Sequence, residues 1–250
     1  MNVLNFPQRG RRTSRYFLLI CLVGAGLGNP AIALGEDKPI ALVTGTGYGR
    51  SEVQSLLQHV FQDDLGGLTA ENCGEFLAVE DFDRFSMVIL AGSKDEPYTP
   101  EESAQIDDYV QKGGRILLIN QAPKNLSVAG PDADRDSSYL FGRSYYLRNS
   151  VDSQVLQPDH PLLEGVFDET PNPFWLNGNV LLRSQEWESL IGTEDLILVG
   201  TRKLGEGSAY YVGTELFRVY SNARRGGVEH EMEGWVRILR NMIMDDGKKP

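Results

Sequence analysis

Residues 98–123 read YTPEESAQIDDYVQKGGRILLINQAP, and this stretch decides the fold. Thr99 stands where a helix N-cap is wanted, Pro100 follows at the first helical position, and Glu102 completes a capping box. Ile106, Tyr109 and Val110 recur at helical spacing and supply one apolar stripe. Gly113 and Gly114 then end the helix, because glycine takes the left-handed backbone at a helix exit without a Cβ clash. Ile116-Leu117-Leu118-Ile119 follows, closing on Asn120. A run apolar on both faces is a buried parallel strand.

Upstream the same rhythm repeats. Residues 40–44 form a continuous apolar run ending in a glycine-rich turn, and residues 87–91 form another. Between them Ser51 and Gln54 pair as a capping box, and Val53, Leu56, Leu57, Val60 and Phe61 share one helical face. Residues 65–85 are ambiguous, with a short strand expected near Leu68 and a helical turn over 76–79. Strand and helix alternating in this way predict right-handed crossovers and a parallel sheet covered on both faces.

Downstream the pattern loosens. Residues 123–138 are polar and turn-rich, a surface excursion. Tyr145-Tyr146-Leu147 reads as a short strand, and His160-Pro161-Leu162-Leu163 as a compact turn. Residues 196–201 and 208–213 read as two strands joined through Gly205-Glu206-Gly207, a hairpin adding antiparallel strands at one edge. The last helix runs from about 228 to 244, with Met232, Trp235, Val236, Leu239, Met242 and Ile243 on its buried face. The expected architecture is a flavodoxin-like three-layer α/β sandwich with a mostly parallel central sheet.

The amino terminus carries a different signal. Residues 1–15 hold Arg9, Arg11, Arg12 and Arg15 and no acidic residue; an apolar run over 16–27 and the triplet Ala31-Ile32-Ala33 follow. Positive head, short apolar run and small-residue exit make a secretory signal peptide over 1–33. A membrane span needs about 20 apolar residues, and this run is shorter and broken by Gly24, Gly26 and Gly28. The alternative is an uncleaved amino-terminal anchor. Cys21 would suit a lipoprotein signal, but Ile20 is bulkier than the small residue such a signal uses. The expected mature chain is a single domain over 34–250, periplasmic or extracellular.

Loss of the four arginines takes the formal net charge from −11 to −15. So acidic a surface repels phosphate backbones and anionic lipid, which argues against nucleic acid and membrane as partners after cleavage. Only Cys73 survives cleavage, so no intramolecular disulfide forms, and the thiol reads as a buried bystander.

Several blocks in order carry a resemblance: Ala41-Leu42-Val43-Thr44-Gly45, the strand over 87–92, the helix closing in Val110-x-x-Gly113-Gly114, His160-Pro161-Leu162, Leu204-Gly205-Glu206-Gly207 and Gly213-Thr214-Glu215. Together they resemble the class I glutamine amidotransferase-like superfamily, and most nearly its trehalose-utilisation-like branch. Catalytic members of that superfamily carry a cysteine on the sharp turn after the strand equivalent to 115–120. Here the turn reads Asn120-Gln121-Ala122-Pro123, with neither thiol nor hydroxyl, so the resemblance implies a scaffold without glutamine hydrolysis. In the trehalose-utilisation-like branch a histidine often follows the first Gly-Tyr, where this chain has Gly49.

Ligands of open α/β sheets sit beyond the carboxyl ends of the strands, which selects Thr46, Tyr48, Arg50, Ser93, Asn120 and Gln121 as a candidate ligand-binding rim. Tyr145, Tyr146 and Trp175 offer aromatic surface suited to a sugar. His160, His230 and Glu215 are the candidate catalytic residues, should they converge on that rim. The run Thr44-Gly45-Thr46-Gly47-Tyr48-Gly49 partly resembles a dinucleotide turn, but Ser51 replaces its last glycine. Asp132, Asp134 and Asp136 lack the glycine and terminal glutamate of a calcium loop. No cofactor or metal is therefore expected. The leading reading is a non-catalytic binding or interaction module for a small molecule or carbohydrate. The alternatives are a hydrolase using rim histidine and carboxylate, and a structural component of an exported assembly.

Overall fold

The computed structural model describes residues 38–45, 50–61, 68–91, 97–126, 140–142, 144–167, 175–214 and 229–245. Its parallel core is built from β1 (Ile40–Val43), β2 (Ala70–Gly74), β3 (Met87–Ala91), β4 (Arg115–Ile119) and β10 (Gly207–Val212). They lie in the order β2-β1-β3-β4-β10, every neighbouring pair parallel. The three apolar runs read from sequence are thus adjacent parallel strands, as their two-faced burial requires.

Antiparallel strands continue the sheet at one edge. β9 (Leu196–Leu204) pairs with β10 as the expected hairpin. β7 (Trp175–Leu182) and the outermost β5 (Ser144–Asp152) follow on its far side. β8 (Glu188–Gly192) also pairs with β9 and carries the two-residue β6 (Gln154–Val155). The antiparallel part therefore extends well beyond the hairpin, and β10 itself lies inside, hydrogen-bonded to β4.

Alternation along the strands splits the core between two faces. Ile40, Leu42, Met87, Ile89, Leu117, Ile119, Tyr210 and Val212 pack with Leu57 and Val60 of α1 (Arg50–Val60) and with Trp235, Leu239 and Ile243 of α3 (Glu229–Met244). Ala41, Val43, Val88, Leu90, Ile116, Leu118, Ala209 and Tyr211 pack on the other face with Ile106 and Val110 of α2 (Pro100–Gln111). Each fully buried Val, Leu, Ile or Met among them contributes about 1.5–3 kcal/mol. Arg115 ties the layers together, its Nη2 donating to the carbonyls of Met242 at 2.9 Å and Ile243 at 2.6 Å near the end of α3. A cation there also complements the helix dipole.

The ambiguous stretch resolves differently from expectation. The strand expected near Leu68 is β2, beginning at Ala70, and the helical turn lies at Val79–Arg84 rather than 76–79. β2 is an edge strand whose first three residues are exposed, so it carries no apolar alternation for a sequence reading to find. Phe76, expected within the helical turn, instead stacks at a tilt on Tyr98, with ring centroids 5.2 Å apart. No helix among the described residues is long and apolar enough to cross a membrane.

Candidate functional site

The site grows from the carboxyl end of β4. The strand must turn sharply after Ile119, and Asn120 makes that turn with φ +59°, the left-handed region. Among the described residues it is the one non-glycine there. Asparagine tolerates this region better than other side chains because its short amide bonds locally. The Asn120 N–H donates to Val212 O at 2.8 Å, extending the β4–β10 ladder by one rung. A 3-10 turn, Ala122–Asn125, follows directly, with Gln121 half-buried at its start. Strand, left-handed residue and helical turn together form an elbow that lifts one residue to the rim of the sheet.

A buried polar cluster holds the elbow from below. Asn179 Nδ2 of β7 donates to Asn120 Oδ1 at 2.5 Å, with Asn179 fully buried and Asn120 nearly so. Asn179 reaches this position because its own N–H donates to Gly213 O at 2.9 Å, just past β10. The approach is close enough that a Cβ on Gly213 would lie 2.0 Å from Asn179 O. The Tyr211 hydroxyl donates to Asn120 O over a long 3.4 Å. Burial pushes the Tyr211 phenol well above its ordinary pKa, so it stays a neutral donor. Trp187 packs edge-on against Tyr211 and donates its Nε1–H to Phe141 O at 3.0 Å. Asn179 Oδ1 is buried without a hydrogen-bond partner among the described residues, and such an acceptor costs about 1–3 kcal/mol until something donates to it.

The other expected residues are distributed unevenly. Thr46, Tyr48, Ser93 and Glu215 lie outside the described residues, and of Arg50 and His230 only the backbone is described, at the starts of α1 and α3. Asn120 and Gln121 are at the carboxyl edge. His160 is not beside them. It caps the 3-10 turn Pro161–Leu163, its Nδ1 accepting from the Leu162 N–H at 3.1 Å, while Nε2 faces Glu188 Oε2 at 3.8 Å. Glu188 pairs in register with Thr201, which pairs with Tyr210, which pairs with Leu117. That puts Glu188 three strands from β4, about 14 Å away by strand spacing alone. Trp175 contributes only backbone to this description; Tyr145 is half-buried and Tyr146 exposed on the outermost strand. Among the described residues no group of His, Cys, Asp and Glu could hold a metal ion.

Asn179 and Tyr211 are the residues that sequence reasoning missed. Tyr211 sits inside an apolar strand where an aromatic reads as core. Asn179 carried a faint signal, since Asn177-Gly178-Asn179 is a polar interruption between strand-like residues, and buried polar groups in strands need partners.

Comparison with known proteins adds the fold's relatives. No protein-family model matches the sequence, and no curated protein matches it. Among solved structures, a thuA-like protein from Bacteroides uniformis aligns with a TM-score of 0.53 at 14% identity, over 86% of this chain and 94% of that one. A cytoplasmic protein from Salmonella typhimurium aligns with a TM-score of 0.49 at 14% identity, over 80% and 96%. A thuA-like protein from Parabacteroides merdae aligns with a TM-score of 0.44 at 14% identity, over 70% and 79%. The chain has the class I glutamine amidotransferase-like fold. Within it, the elbow after β4 is where the superfamily resemblance expects the cysteine, and this chain presents Asn120.

Proposed function

We propose that this chain is exported and that its amidotransferase-like domain is a non-catalytic binding module, receiving a small neutral ligand such as a carbohydrate at the carboxyl edge of β4 and β10. One observation carries the reading: the elbow keeps its left-handed backbone with a carboxamide at its apex. A carboxamide both donates and accepts hydrogen bonds, but it has no thiol or hydroxyl to form a covalent intermediate. The hydrolase reading draws no support from His160, whose Nδ1 is committed to Leu162 at a distance from the elbow. The purified mature chain is expected to release no ammonia from glutamine, with Cys73→Ser indistinguishable from the parent. Release that Cys73→Ser abolishes would overturn the proposal.

Export rests on the charge and apolar pattern of residues 1–33. Intact-mass analysis of the protein secreted by its native host should give a chain beginning near Leu34. A membrane-free protein that retains Met1 would remove the export argument.

A further inference from the structure

At the other end of the sheet from the elbow lies a groove of about 660 Å³. Its origin is a mismatch in strand length. β8 begins at Glu188, opposite Thr201, so Arg202 and Lys203 of β9 have no β8 residue paired beside them. The His160–Leu162 turn forms the facing wall, and Trp187 contributes to the lining.

The polar pair in this groove is set apart by a defined gap. Because Nδ1 of His160 accepts the Leu162 N–H, the neutral ring carries its proton on Nε2 and presents it as a donor. Facing it, Glu188 Oε2 is 3.8 Å away, beyond direct hydrogen-bond range. One oxygen about 2.8 Å from each would bridge them, accepting from Nε2–H and donating to the carboxylate. A hydroxyl does both; a carboxylate oxygen only accepts, and an ammonium only donates.

The other charges in the groove already have partners. Arg202 donates to Glu186 at 2.9 Å and to Leu140 O at 3.1 Å, and Lys203 donates to Ser208 Oγ at 2.9 Å. Asp245 accepts from the Tyr210 hydroxyl at 2.7 Å. A neutral hydroxylated ligand leaves every one of these pairs in place. Pro161, exposed beside the pair, adds a C–H surface to the groove.

We propose that this groove is a second ligand site, separate from the elbow, for a neutral polyhydroxylated molecule with one hydroxyl bridging His160 Nε2 and Glu188. The test titrates myo-inositol and maltose, with gluconate as the anionic comparator, into the 15N-labelled mature chain. Saturable amide shifts at His160, Leu162, 186–188 and 201–203 are expected with at least one neutral probe and not with gluconate. His160→Asn keeps an N-cap acceptor but removes the Nε2 donor, and Glu188→Ala removes the acceptor. Each should weaken binding at least tenfold without lowering Tm, while Cys73→Ser binds like the parent. The proposal is overturned by no saturable shift with either neutral probe. Shifts that survive both variants, or gluconate binding as tightly, overturn it equally.

Discussion

Asn120 joins the candidate site to the stability of the fold. A residue with a Cβ at φ +59° costs about 1–2 kcal/mol when its side chain does nothing to offset the strain. Here the side chain also accepts the bond from fully buried Asn179, and removing that acceptor leaves a donor unmatched at a further cost of about 1–3 kcal/mol. Asn120→Ala should therefore lose about 2–5 kcal/mol in urea unfolding, carrying both penalties. Asn120→Gly should lose less, since glycine adopts the backbone freely and forfeits only the bond. Equal losses in the two variants would show that backbone strain contributes nothing at the elbow. Cys73, by contrast, is half-buried in β2, and burial first, then the nearby Glu71 carboxylate, raise its pKa. Both effects disfavour the thiolate that a nucleophile needs.

At the scale of elements, both ends of α2 are specified by local residues. Thr99 Oγ1 accepts from the Glu102 N–H at 3.2 Å, and Glu102 Oε2 accepts from the Thr99 N–H at 2.7 Å. The helix leaves through Gly113 at φ +104°. Thr99→Ala should cost about 1 kcal/mol and lower Tm by about 2–4 °C in a domain of this size. Thr99→Ser should restore most of it, because the hydroxyl makes the same bond. A Tm unchanged in Thr99→Ala would mean that the packing of Ile106 and Val110 fixes the helix start without its cap.

For the whole molecule, the tyrosines between sheet and helices set the alkaline limit. Burial, reinforced by the hydrogen bond to Asp245, pushes Tyr210 up to about 12, and burial raises Tyr98, Tyr109 and Tyr211 in the same direction. A phenol raised in the folded state stays protonated there while the unfolded chain ionises near pH 10. Stability is therefore complete below about pH 10 and falls as pH rises toward 12, by about 2–3 kcal/mol from Tyr210 alone. Urea midpoints should be flat from neutral pH to about 9.5 and then drop, and Tyr210→Phe should flatten that drop. A midpoint still level at pH 11 would contradict the burial argument.

The sequence by itself determined the parallel core and the helix that feeds it. A strand buried on both faces must be apolar throughout, and a helix needing a cap, a stripe and an exit prints all three in consecutive residues. The superfamily resemblance and the Asn120 turn were legible for the same local reason, since Asn120 directly follows the run it terminates. What the tertiary structure alone decided involves groups brought together from distant positions. Gly207 reads as a hairpin residue, yet a Cβ there would lie 2.0 Å from Val110 O, so docking of the hairpin on α2 also requires it. The partnership of Asn120 with Asn179, 59 residues away, is invisible to periodicity because β7 carries it across the end of β10. His160 shows the same limit: its residue type fitted chemistry at the rim, but the backbone N–H two residues later claimed its ring nitrogen. Local pattern governs which segments become strands and helices, because propensity and amphipathic spacing act within a few residues. Which polar groups meet depends on strand order and register, and only the assembled sheet fixes those.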